Sequence, residues 1–212
     1  MSQECRENRA GGSGGDASPL PSDSVARVRR LDIPDGVFHV TVHGVDATAI
    51  CRTDADYDRF VRLLTPVTKA RGWRCYSLCV MSTHYHLVVE SKITDLADGM
   101  ETLNGRYAKL FNRDHVRWGH LFGARYSSKP VETEEHLFEA LRYVILNPVR
   151  AGARRRPEEW PWATYRALMG LEPEPDFFDV DFVLRLFAPT REEARRALRE
   201  FVNGPLAVDM SA

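Results

Sequence analysis

His84 and His86 flank Tyr85 inside the run Tyr76-Ser77-Leu78-Cys79-Val80-Met81-Ser82-Thr83-His84-Tyr85-His86-Leu87-Val88-Val89-Glu90. The run reads as strand, tight turn, strand. Residues two apart on a strand share a face, so the two imidazoles stand side by side, with Tyr85 on the opposite face. Neutral imidazole is a common metal ligand, and a His-x-His pair supplies two donors from one strand. Such a pair also occurs for packing or hydrogen bonding, and the spacing by itself does not choose. Tyr143 and Asn147 form a second pair. They lie four apart in a predicted helix over residues 133–147, on a flank beside its apolar stripe of Leu137, Ala140, Leu141, Val144 and Ile145. Tyr143 reads either as an amphipathic tyrosine at the edge of the core or as a hydroxyl available for chemistry.

The formal net charge is −1, which is not the signature of a nucleic-acid binder. The distribution is more telling. From Thr102 to Pro130 the chain carries Arg106, Lys109, Arg113, Arg117, Arg125 and Lys129 against the single acid Asp114. From Leu141 to Arg156 it carries Arg142, Arg150, Arg154, Arg155 and Arg156 and no acid. The middle is basic and the ends compensate, which suits a phosphate-rich partner or, more plainly, a solvated basic face.

No apolar run is long enough to span a bilayer, and the N-terminus shows no apolar segment of a secretory signal, so a cytoplasmic location is expected. Cys5, Cys51, Cys75 and Cys79 lack zinc-ribbon spacing and are expected as reduced thiols, with Cys75 and Cys79 on one face of a strand.

The elements that must position these groups follow from periodicity. Residues 1–24, rich in Gly, Ser, Pro and charge, are expected to be disordered. Residues 37–43 form a first strand containing His39 and His43, each expected as a sheet-face histidine with a hydrogen-bond partner. Residues 54–71 form a helix behind the N-cap candidate Thr53. The hairpin 73–81 and 84–91 follows, then a helix over 95–114 and a strand ending near Val131. The order strand, helix, two strands, helix, strand predicts an α+β, ferredoxin-like antiparallel sheet with both helices on one face and the other face open. The helix bearing Tyr143 is expected to end at Pro148 and Gly152. A short helical segment over 163–169, an acidic, Pro-rich linker to about Phe178 and a helix over 191–203 complete the chain. This gives a tail (1–24), a central domain (28–170) and an acidic linker with a C-terminal helix (171–212).

The residues from Cys79 to Glu90 resemble the histidine motif of the single-tyrosine HUH transposases, the group that includes the REP-associated tyrosine transposases. Leu103-Asn104-Gly105-Arg106-Tyr107-Ala108-Lys109-Leu110-Phe111-Asn112, Gly119-His120-Leu121-Phe122, Arg125-Tyr126 and Tyr143-Val144-Ile145-Leu146-Asn147-Pro148-Val149-Arg150-Ala151-Gly152 resemble it too, in the same order. So do Pro157-Glu158-Glu159-Trp160-Pro161-Trp162 and Thr164-Tyr165. The family often has Pro-Asn where this chain has Ser82-Thr83, and a small aliphatic residue where it has Tyr85. The resemblance implies an RRM-related, ferredoxin-like fold and a DNA strand-transfer enzyme acting on single strands beside a hairpin. It implies Tyr143 as nucleophile, His84 and His86 as catalytic metal ligands completed by Asn147, and Mg²⁺ or Mn²⁺ as cofactor. Arg106, Lys109, Arg125, Lys129 and Arg150 become candidates for phosphate contacts. Monomer and homodimer both remain open. Two other readings are weighed: a non-catalytic single-strand binder on the same fold, and a small-molecule phosphoesterase, disfavoured because Val88 stands where a third alternating histidine belongs.

Overall fold

The computed structural model describes residues 36–123 and 125–204. The expected disordered tail lies outside them. Four strands, β1 (Gly36–His43), β2 (Arg74–Val80), β3 (His84–Ser91) and β4 (Ser127–Val131), form one sheet in the order β2-β3-β1-β4. Every pairing is antiparallel. With α1 (Asp54–Arg71) and α2 (Ile93–Asp114) in the two crossovers, this is the ferredoxin-like α+β arrangement.

One face of the sheet is apolar by alternation. Phe38, Val40 and Val42 of β1 and Tyr85, Leu87 and Val89 of β3 are buried there, each worth roughly 1.5–3 kcal/mol for the aliphatic and Phe side chains. The face meets α1 and α2. The Tyr85 ring lies 4.5 Å from that of Phe60, and its hydroxyl donates to Asn104 Oδ1 at 2.7 Å. Tyr85 therefore does point away from the histidines and is a core residue. Gly99 lets α2 approach Trp73 closely: a Cβ at that position would sit 2.3 Å from the indole ring.

The second face is not open. α3 (Glu134–Arg150) lies across it, because its stripe of Leu137, Leu141 and Val144 needs burial and the sheet offers Ser77, Cys79 and Val88 on that side. α3 also runs past the expected stop at Pro148 to Arg150. Proline there loses only its own donor, and the carbonyls of Asn147 and Pro148 still accept from Ala151 and Ala153 at 2.9 Å each.

The chain beyond α3 closes the β2 side of this layer. Trp160 Nε1 donates to Val80 O at 2.9 Å, Ala163 bridges to Cys79 and Phe178 to Cys75. After α4 (Tyr165–Leu168) the stretch to Phe178 holds no helix, and beyond it residues Val180–Arg185, to which the periodicity assigns no element, form α5. Asp179 caps α5, accepting from the Phe182 N–H at 2.9 Å, and the Phe182 ring stacks on Tyr76 at 4.2 Å. Finally α6 (Arg191–Asn203) buries Ala194, Leu198 and Val202, and Arg142 of α3 donates to the carbonyls of Val202 and Gly204 at its end. The segment from Leu171 to Gly204 is thus part of the same core.

β2 carries a bulge between Cys75 and Ser77. Cys75 opposes Val89 and Cys79 opposes His86, so the two thiols lie on opposite faces, not one: an extra residue shifts the alternation by one. Cys51, Cys75 and Cys79 are free and buried. Among the described residues no helix is long and apolar enough to cross a membrane.

Candidate active site

The β1–β3 register sets His43 opposite His84, Thr41 opposite His86 and His39 opposite Val88. Paired residues share a face, so His39, Thr41, His43, His84 and His86 stand together on the side covered by α3. Asn147 reaches in from that helix. Its Oδ1 is 3.2 Å from His84 Nε2, and its Nδ2 donates to His86 Nε2 at 3.0 Å. The amide therefore lies between the two ring nitrogens and is itself buried.

The far sides of the rings are held as well. His86 Nδ1 lies 3.1 Å from Thr41 Oγ1 and 3.2 Å from His39 Nε2. Since His86 Nε2 accepts from the amide, its proton sits on Nδ1 and points at this pair. His84 Nδ1 is 3.1 Å from Thr83 Oγ1, and the His43 ring stacks on His84 at 5.0 Å. Sequence reasoning did not single out Thr41. The readable signal was the repeat His39-x-Thr41-x-His43 in β1, which has the period of His84-x-His86 in the next strand.

Burial favours the neutral form of His39, His84 and His86. It drives His86 down to about 2, helped by His39, His84 and His43. It lowers His39 to about 4, with Lys129 adding to the effect. His84 is also lowered by burial, against the opposing effect of its hydrogen bond to the Asn147 amide oxygen. Neutral rings with fixed far-side partners are what a metal ion requires of histidine. Among the described residues no group of three His, Cys, Asp or Glu side chains could hold an ion. The Asn147 amide oxygen, 3.2 Å from His84 Nε2, is a further oxygen donor beside the two imidazoles, and such a set would fit an ion that keeps further positions for other ligands.

Tyr143 stands one helical turn before Asn147. Its ring meets the His86 ring edge-on at 5.1 Å and the His39 ring at 5.5 Å. The Arg150 guanidinium covers it at 5.1 Å. No described protein group hydrogen-bonds its hydroxyl.

A family profile for IS200-like transposases matches residues 37–145. The chain belongs to that family. The matched span takes in His84, His86 and Tyr143 and stops short of Asn147, and it makes the protein a transposase, an enzyme of DNA transposition. Among solved structures, a REP-associated tyrosine transposase bound to a REP hairpin is similar at 18% identity and a TM-score of 0.55, over 70% of this chain and 88% of that one. A candidate transposase from Deinococcus radiodurans R1 is similar at 18% identity and a TM-score of 0.41, over 54% of this chain and 92% of that one. The first supports the fold; the second is too distant to carry an argument. No curated protein sequence matches.

The transposase's basic residues divide by location. Lys129 opposes His39 in β4 and Arg150 covers Tyr143, so both border the site. Arg125 is exposed shortly before β4. Arg106 and Lys109 are exposed on α2, across the sheet from the histidines, and the structure does not bring them to Tyr143.

Proposed function

We propose that this transposase nicks and rejoins single-stranded DNA through a covalent tyrosine intermediate. The observation that carries the reading is the meeting of His84, His86 and Asn147 around one point, with Tyr143 on the next helical turn. The Tyr143 hydroxyl forms a bond to the scissile phosphorus, and the bond from phosphorus to the 3′-oxygen breaks. The product is a 5′-phosphotyrosine and a free 3′-hydroxyl. The phenolic proton is lost and the 3′-oxygen gains one. The new ester retains phosphodiester energy, so an incoming 3′-hydroxyl reverses the step and joins strands without a nucleotide cofactor.

His84, His86 and Asn147 would hold Mn²⁺ or Mg²⁺, and nitrogen donors favour the former. The ion would polarise the scissile phosphate and offset charge developing on its oxygens during attack by the phenol. Lys129 and Arg150 attract and orient the phosphates. Arg150 also fixes the plane of the Tyr143 ring by stacking. The similar structure bound to a hairpin supports a hairpin-bearing single strand as the DNA partner.

The test uses end-labelled single strands from the DNA flanking the gene, with Mn²⁺ or Mg²⁺. A covalent protein–DNA band is expected in the parent and absent in Tyr143→Phe and His84→Ala. Tight binding with no band on the correct flanking site would replace this reading with a non-catalytic binding module.

A further inference from the structure

The loop joining α2 to β4 presents two apolar side chains to solvent: Val116 is 81% exposed and Trp118 is 89% exposed. No large hydrophobic side chain among the described residues is more exposed, and nothing in the catalytic geometry above uses either. A mobile loop could carry such residues by accident. This one is held. At its base His115 Nε2 pairs with the buried carboxylate of Asp56 at 2.9 Å. Across its neck the Arg117 N–H donates to Asn112 O at 2.8 Å, and Asn112 Nδ2 donates to Gly119 O at 2.8 Å. The Arg117 side chain turns inward, donating to Asn112 Oδ1 at 3.2 Å and to His120 O at 2.7 Å. Its neighbours on either side are left facing out. Val116 adopts φ +48°, a left-handed conformation that is costly for a β-branched residue and that the surrounding bonds impose.

The place and charge of the tip say what it meets. The return leg of the loop is pinned to the end of β1: Val45 N–H donates to Leu121 O at 2.9 Å and Gly123 N–H donates to His43 O at 3.2 Å. His43 in turn stacks on His84. Trp118 is three residues before Leu121, at most about 10 Å of extended chain, or about three nucleotides at the 3.4 Å per-strand spacing of DNA. From Arg106 to Lys129 the chain has six Lys or Arg and one acid, and that acid, Asp114, is already paired with Arg59 and Arg113. The connection from α2 to β4 thus offers an exposed indole at its tip and an exposed cation, Arg125, on its return leg. A single-stranded nucleic acid uses both, stacking a base on the ring while its phosphates meet the cations.

We propose that the Val116–Trp118 tip is a base-stacking finger for the single strand that runs to or from the Tyr143 site; this rests on the transposase reading. Because every base has a π-face, the finger adds affinity for unpaired DNA without choosing its sequence. Arg117 and the Asp56–His115 pair are positioning groups that hold it rigid.

The test measures binding of the full-length protein to a hairpin oligonucleotide with a single-stranded tail and to the same hairpin cut blunt, by fluorescence anisotropy over a salt series. Trp118→Ala is expected to weaken binding of the tailed hairpin on the order of tenfold and to leave the blunt one unchanged. The slope of affinity against salt should stay the same, since an indole releases no counterions. Trp118→Phe should recover most of the affinity while removing the quenching of tryptophan emission on binding. Equal affinity of parent and Trp118→Ala for the tailed hairpin would overturn the finger and leave the transposase reading standing. No binding of either DNA by the parent would overturn both. A change in Trp118 emission with protein concentration alone would assign the tip to a second copy of the chain instead.

Discussion

Replacing Asn147 with alanine removes the side chain that hydrogen-bonds both imidazoles. Two bonds disappear, to His84 Nε2 at 3.2 Å and to His86 Nε2 at 3.0 Å. The consequences differ because the exposures differ. His84 is only half-buried and can turn to water, so its loss is about 1 kcal/mol. His86 is 3% exposed, so its acceptor nitrogen is left without a partner at about 1–3 kcal/mol. Together Asn147→Ala should cost about 2–4 kcal/mol in the presence of a chelator. For a domain of this size that is a fall in Tm of about 4–16 °C. The same variant lacks the third metal donor. In the parent, Mn²⁺ at a hundred times its dissociation constant should stabilise by about 2.7 kcal/mol, and in Asn147→Ala most of that gain should vanish. Thermal unfolding of both proteins, with chelator and with Mn²⁺, reads both effects without any DNA. An unchanged Tm in chelator would refute the bridging role. An undiminished Mn²⁺ shift in the variant would refute Asn147 as a donor.

Thr41→Val keeps the shape of the side chain but removes its oxygen from His86 Nδ1, so Mn²⁺ affinity should fall on the order of tenfold, read by titration of the same Tm shift. Stability should depend on acid in a defined window. His39 and His86 fall from the ordinary 6.5 to about 4 and about 2 in the folded chain, so the unfolded chain binds more protons below 6.5. Their contribution is whole above that pH and drains as pH drops towards about 4; urea midpoints between pH 7.5 and 4.5 should decline, and a flat profile would contradict the burial of the two rings. Gly99→Ala should cost about 1–3 kcal/mol by overpacking, since its Cβ would meet the Trp73 ring at 2.3 Å; denaturant unfolding checks it, and a neutral result would mean the indole has room to shift.

Alternation made the hairpin readable, and with it the opposite facing of His84 and Tyr85. Helical spacing likewise put Tyr143 and Asn147 on one flank. Neither could say that this flank faces the sheet, because which surface covers a sheet is decided by long-range packing. Asn147 is accordingly buried where an unclaimed flank was expected. Thr41 escaped notice for the same reason: its role depends on the register of β1 against β3, which is set by pairing and not by local pattern. The bulge in β2 reversed the predicted face of one cysteine, since a single extra residue leaves no mark on composition. α5 was hidden by the acids around it, although Asp179 followed by Val180, Val183 and Leu184 is a capped apolar turn in retrospect. The basic residues were legible as a population and not as places: of those singled out, Arg106 and Lys109 lie across the sheet from the nucleophile.

The donor set of the site contains two imidazoles and an amide and no carboxylate. An ion seated there keeps its whole double charge, and Lys129 and Arg150 stand nearby with the same sign. Among the described residues no carboxylate belongs to that donor set; a DNA phosphate would supply the opposite charge. The ion and the DNA would therefore be thermodynamically linked, each expected to raise the affinity of the other by the same factor, of the order of 5- to 150-fold for a coupling of about 1–3 kcal/mol. The free transposase would then hold its metal loosely, shed it readily to chelators without unfolding, and acquire a fully charged centre only when a strand is in place to be cut.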